Sequence, residues 1–184
     1  NYIEQGHALA DYALTAYSTF KEIPTTSVKI TKTVYNAKVD HNFSGLGSYA
    51  QEAINYYKEN GDLGNYQQTF QYSGIQNIYQ LHAIAIRSKM PYQQEISLYA
   101  LSLGDLAFAT VPFEMFDTNG DQIKRGSPFS STFVCTCCNE YVGYIPSAYG
   151  YAHGCYEADC TPIAPGSGEL LALEFITMLA KLWK

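Results

Sequence analysis

A chain of 184 residues can bury one substantial core, so a single domain spanning 1–184 is the expectation. Its 47% hydrophobic and 15% charged residues exclude a disordered polymer, and 17 acidic against 11 basic residues, a net charge of −6 without a basic cluster, argue against nucleic acid or an anionic membrane surface as partner. No apolar run approaches the roughly 20 residues of a transmembrane helix, and no secretory apolar segment is present.

Residues 2–22 place Ile3, Ala8, Leu9, Tyr12, Ala13, Leu14 and Tyr17 close to helical spacing, and Pro24 is expected to stop that helix. The sequence opens at Asn1, inside this apparent helix and without methionine, as a piece of a longer product would. Residues 27–39 alternate, with Val28, Ile30 and Val34 on one face and Lys29, Thr31, Thr33 and Tyr35 on the other, which predicts a long half-exposed strand. Residues 42–47 are turn material. Residues 48–60 read as a helix ended by Gly61, residues 64–72 as a polar, glutamine-rich stretch, and residues 75–89 as a helix closed by Pro91.

From residue 94 the pattern turns to sheet. Residues 94–103 and 106–111 flank Gly104-Asp105, a two-residue turn that predicts a hairpin. A helix is expected over 114–126, with Lys124 and Arg125 in its last turn, where the helix dipole favours cations. Residues 132–138 predict a buried strand that 141–145 extend, and 147–154 a short helix or turn. The closing helix, 169–182, has an inward stripe of Leu171, Phe175, Met178 and Leu182. This order predicts an α/β (α+β) fold, a mixed β-sheet with flanking helices.

Five cysteines stand at 135, 137, 138, 155 and 160. The odd, crowded set is unlike a disulfide framework and lacks the paired C-x2-C knuckles of a zinc site, so buried thiols acting as small hydrophobes are expected. Asp117-Thr118-Asn119-Gly120-Asp121 imitates part of a calcium loop, but Pro128 occupies the position of the bidentate glutamate. His7, His41, His82 and His153 form no metal-binding spacing, and His153 reads as a surface residue.

Glu114 follows an apolar strand and Pro112, which places its carboxylate at the strand's carboxyl end, a usual place for a site on an α/β sheet; an ordinary helix-capping role is the competing reading. Beyond it a second strand delivers Tyr141, Tyr144 and Tyr156, and carboxylate and phenol oxygens suit a hard or borderline metal.

The segments Val111-Pro112-Phe113-Glu114-Met115-Phe116, Asn139-Glu140-Tyr141-Val142-Gly143-Tyr144, Tyr156-Glu157 and Ala164-Pro165-Gly166 resemble, in order and spacing, the neutral/alkaline non-lysosomal ceramidases. The resemblance implies the carboxyl-terminal portion of a zinc-dependent amidohydrolase that cleaves the N-acyl amide of ceramide or a related lipid into a fatty acid and a sphingoid amine. It implies Glu114 and Tyr144 as zinc ligands, and Tyr156 as the catalytic donor to the scissile carbonyl. The family's two histidine ligands and active-site serine precede the matching region. The amino-terminal half of the same enzyme is therefore the implied partner, and zinc is expected to bind weakly or not at all to this chain alone. The Pro165-Gly166-Ser167-Gly168-Glu169 turn is closest to shorter bacterial relatives, and a secreted or cell-envelope location is implied. Phe113 stands where the family usually has glycine, and Ala158-Asp159-Cys160-Thr161 replaces a Ser-Thr pair. Two other readings compete: a non-catalytic binding or regulatory module on the same scaffold, and an α/β domain whose cysteines hold a structural metal.

Overall fold

The computed structural model describes residues 1–22 and 27–184; the predicted helix stop at Pro24 lies outside them. Helix α1 (Tyr2–Tyr17) is capped by Asn1, whose side chain accepts from Ile3 N–H. Four strands, β1 (Val28–Lys38), β2 (Gln93–Leu103), β3 (Leu106–Val111) and β5 (Ser131–Thr136), form one sheet in that order. The first two pairings are antiparallel and β3–β5 is parallel, which makes the sheet mixed, as the sequence predicts. Between β1 and β2 lie α2 (Gly47–Asn60), α3 (Tyr66–Tyr72) and α4 (Ile78–Arg87). The parallel connection after β3 carries β4 (Glu114–Met115) and α5 (Asp117–Gly126). Strand β6 (Tyr144–Ile145), α6 (Ala148–His153), α7 (Tyr156–Cys160) and α8 (Ser167–Trp183) close the chain.

One face of the sheet makes the main core. Ala37, Ala100, Ala107 and Ala109 are fully buried, and these small side chains let α8 lie close to the strands. The predicted stripe of α8 fills that space: Leu171, Phe175, Met178 and Leu182 are all buried. Tyr35 donates to the Ser167 carbonyl at 3.0 Å and Lys29 to the Leu182 carbonyl at 3.1 Å, fixing β1 along the same helix. A second, smaller core joins α2, α3 and α4 through Ala50, Ala53, Ile54, Phe70, Leu81 and Ile84.

The other face of the sheet is apolar and open. Ile30 is 69% and Phe133 50% exposed, and Phe133 stacks on Phe108 with ring centroids 5.1 Å apart. The apolar side of β1 thus faces outward, while its threonines and Tyr35 face α8. Helix α1 is in the same condition: no residue in it is buried.

Several expectations are corrected. The glutamine-rich stretch is helical from Tyr66 to Tyr72, because Phe70 has a core to enter. The helix predicted from residue 114 starts at Asp117, since Glu114 is held in a strand pair, and Phe116 takes the capping position. Strand β5 has no fully buried residue, because its outward side chains have no cover. The cysteines are not buried hydrophobes either: Cys137 is exposed and Cys135, Cys138, Cys155 and Cys160 are half-buried.

Helix α8 begins where Gly168 touches the segment before it. A Cβ at Gly168 would collide with Asn119 Nδ2 and stand 2.8 Å from the Pro146 carbonyl oxygen. Backbone cannot yield there as a flexible side chain would. Gly168→Ala is expected to lower stability by about 1–3 kcal/mol, read as a reduced urea midpoint at unchanged slope.

Candidate functional site

Strand β3 runs into Pro112 and Phe113, both buried, and emerges at Glu114 at its carboxyl end. Backbone bonds grip this short segment from two sides. On one side Cys137 N–H donates to Phe113 O and Cys138 N–H to Val111 O, at 3.2 and 3.1 Å. On the other, Val142 N–H donates to Pro112 O at 2.8 Å and Glu114 N–H to Gly143 O at 2.9 Å. Between these grips the chain reverses through left-handed backbone at Cys137 (φ 52°) and Asn139 (φ 71°). Asn139 Nδ2 donates to Thr110 Oγ1 at 2.7 Å and anchors the reversal to β3.

The result is a parallel pair in which Glu114 and Tyr144 are register partners, thirty residues apart in sequence. Partners in adjacent strands about 4.8 Å apart present their side chains on the same face. Gly143, at φ 95°, breaks the extended run just before Tyr144. Without that break, Tyr141 and Tyr144 would point to opposite faces, being an odd number of positions apart. With it, Tyr141 Oη donates to Glu114 Oε1 at 2.7 Å. The bond and the carboxylate charge push the Tyr141 phenol up to about 12. Tyr144 is raised too, first by desolvation and then by the Glu114 charge. Two phenols are thus kept protonated around one carboxylate, a donor set that a cation would relieve.

Tyr156 opens α7, a helix of five residues that the sequence does not announce. Its ring stands edge-on to Tyr144 (centroids 5.8 Å, 76°) and to Tyr79 of α4 (5.0 Å, 82°). Its phenol is raised above the usual range, first by the neighbouring Cys160 thiol. Thr161 Oγ1 donates to the Tyr144 carbonyl at 2.8 Å, and Asp159 accepts from Asn77 and Gln80 at 2.6 and 2.8 Å, so α7 is pinned both to β6 and to the start of α4. Glu114, Tyr144 and Tyr156, chosen from sequence, therefore lie in one cluster. Tyr141 and Cys160 join them without having been assigned a role; the signal for Tyr141 was its place in N-x-Y-x-x-Y, four residues after the left-handed Cys137.

Neither His41 nor His153 bonds a member of this cluster, although His153 lines the same cleft as Tyr156. His41 bonds Ser44 and lies on the Tyr92 ring, and His153 stacks on Tyr149 and bonds its carbonyl at 3.0 Å. Among the described residues no three His, Cys, Asp or Glu side chains are grouped so as to hold a metal ion. The donors fit part of a zinc sphere: one carboxylate and one phenol in register, both oxygen ligands that zinc accepts, short of the usual three protein ligands.

No family model matches the sequence, and no characterised protein matches it significantly. Solved structures do. Neutral ceramidase from Pseudomonas aeruginosa is similar with a TM-score of 0.58 and 15% identity, over 91% of this chain and 30% of that one. A ceramidase complexed with C2 aligns at a TM-score of 0.47 and 21% identity over 52% of this chain and 16% of the other, too weakly to bear on the fold. Over most of its length, then, this chain has the mixed α/β fold of a portion of neutral ceramidase, spanning about a third of that longer protein.

Proposed function

We propose that the chain is the carboxyl-terminal portion of a zinc-dependent amidohydrolase of the ceramidase kind, acting on the N-acyl amide of a ceramide-like lipid at a secreted or cell-envelope location. The observation that carries this reading is the register pairing of Glu114 with Tyr144, with Tyr156 edge-on beside them, on a ceramidase-like fold. Glu114 and Tyr144 would hold the zinc. When bound, zinc supplies Lewis acidity toward an amide carbonyl and lowers the pKa of water.

This chain's own contribution follows from its residues. Tyr156 keeps its proton across the neutral range, so it donates a hydrogen bond to the carbonyl oxygen as negative charge develops there. Its edge-on contacts with Tyr79 and Tyr144 fix the ring, and the Asp159 and Thr161 bonds fix the helix that carries it. The fatty acid and the sphingoid amine are the products. The remaining zinc ligands come from the rest of the longer protein, the amino-terminal half, which also has an apolar sheet face and helix α1 to cover. No helix among the described residues is long and apolar enough to cross a membrane.

In the enzyme reassembled with that half, Tyr156→Phe is expected to lower kcat by about 10²–10³-fold with KM nearly unchanged, the cost of one oxyanion donor. Hydrolysis of a fluorescent N-acyl sphingosine measures it. Full activity in the variant would remove Tyr156 from the mechanism.

A further inference from the structure

We infer that Tyr141 is a positioning residue for Glu114: it fixes the carboxylate through Oε1 and so reserves the second oxygen for the ion shared with Tyr144. The inference rests on the metal-holding reading of Glu114 and goes beyond it by naming the group that sets the ligand's geometry.

Three observations converge. The 2.7 Å bond from Tyr141 Oη to Glu114 Oε1 joins residues 27 positions apart, so it exists only because the fold brings them together. The backbone of both partners is fixed independently of that bond. Glu114 N–H is held by Gly143 O, and the residue after Tyr141 donates to Pro112 O at 2.8 Å, two positions before the carboxylate. Both ends of the side-chain bond therefore stand on one rigid backbone unit. Finally, Tyr141 has no packing duty to explain its placement, being 61% exposed.

The chemistry requires such a partner. A glutamate side chain has three rotatable bonds, and a ligand free to turn loses entropy on every binding event. A neutral phenol that donates to one oxygen selects a rotamer while leaving the carboxylate charge in place. Outer-shell partners of this kind are worth about 10–100-fold in metal affinity. Tyr141 is too exposed for its loss to open a cavity, so a phenylalanine there removes the bond and little else.

The test is Tyr141→Phe in the full chain, with ¹³C-labelled glutamate, read by NMR without metal and then during a zinc titration. Tyr149→Phe, another exposed tyrosine, is the control. Without metal, wild-type Glu114 is expected to hold one rotamer with a distinct carboxyl shift, and Tyr141→Phe to give averaged couplings and a shift typical of a free glutamate. In the titration, zinc affinity is expected to fall by about tenfold or more, while Tyr149→Phe changes neither reading. An unchanged Glu114 rotamer in Tyr141→Phe would overturn the inference, as would lost order with unchanged zinc affinity. If the chain takes up no zinc even when joined to the amino-terminal half, while Tyr141→Phe still disorders Glu114, the positioning role stands and the zinc reading of Glu114 falls.

Discussion

By itself the 184-residue chain is expected to leave a fluorescent N-acyl sphingosine uncleaved and to bind zinc only weakly, whereas joining it to the amino-terminal half of the proposed enzyme brings both activities. Catalytic zinc usually has three protein ligands and one open position. Here the in-register donors are one carboxylate and one phenol, and the phenol sits above its ordinary pKa beside the Glu114 charge. A phenolate must form before it can bind, so proton release opposes a metal that nothing else anchors. The measurement is amide hydrolysis with and without the complementing half at fixed zinc. Turnover by this chain alone, lost in Glu114→Ala, would contradict the expectation and show that one of its four histidines completes the site. His153 would then be tested first, because it lines the same cleft as Tyr156.

The largest stability effect is expected at Asp40. Its carboxylate meets Arg87 Nη1 at 2.7 Å, with the two side chains only 18% and 11% exposed. Arg87 Nε is buried without a partner among the described residues, and desolvation lowers the Arg87 pKa while Asp40 opposes that shift. Asp40 follows β1 and Arg87 ends α4, so this pair ties the small helical core to the sheet. Removing the anion strands a buried guanidinium. Asp40→Ala is therefore expected to cost about 3–5 kcal/mol, while Asp40→Ala combined with Arg87→Met recovers most of it, since an apolar pair of similar volume has no charge to desolvate. Urea unfolding of both variants checks this. An Asp40→Ala loss below about 1 kcal/mol would place the pair among ordinary surface ion pairs.

The parts of the fold legible in sequence were those where one local rule acts alone. Gly104-Asp105 between alternating runs specified the β2–β3 hairpin, and the four- and three-residue steps from Leu171 to Leu182 specified the buried stripe of α8. What stayed hidden depends on partners distant in sequence. Helix α7 is five residues long, too short for periodicity, and is held by Asn77 and Gln80 some eighty positions away. Alternation in β1 identified the strand but not which face is covered, and the covered face is the polar one. Adjacent cysteines looked like core filler, but the left-handed turn at Cys137 lifts that thiol to the surface. At the site, Glu114, Tyr144 and Tyr156 were nameable from the family-like motifs, whereas the bond to Tyr141 required the break at Gly143 that no spacing rule contains.

The central claim is that Glu114 and Tyr144 together form one part of a metal site. A zinc titration of the full chain, with ¹³C at the tyrosine Cζ and glutamate Cδ positions, tests it most directly. Even weak binding is expected to move the Tyr144 Cζ signal toward phenolate and to shift Glu114 Cδ with the same dissociation constant, while tyrosines far from the site stay fixed. Zinc uptake that leaves both signals in place and is abolished by Cys137→Ser would contradict the claim and move the metal to the cysteines.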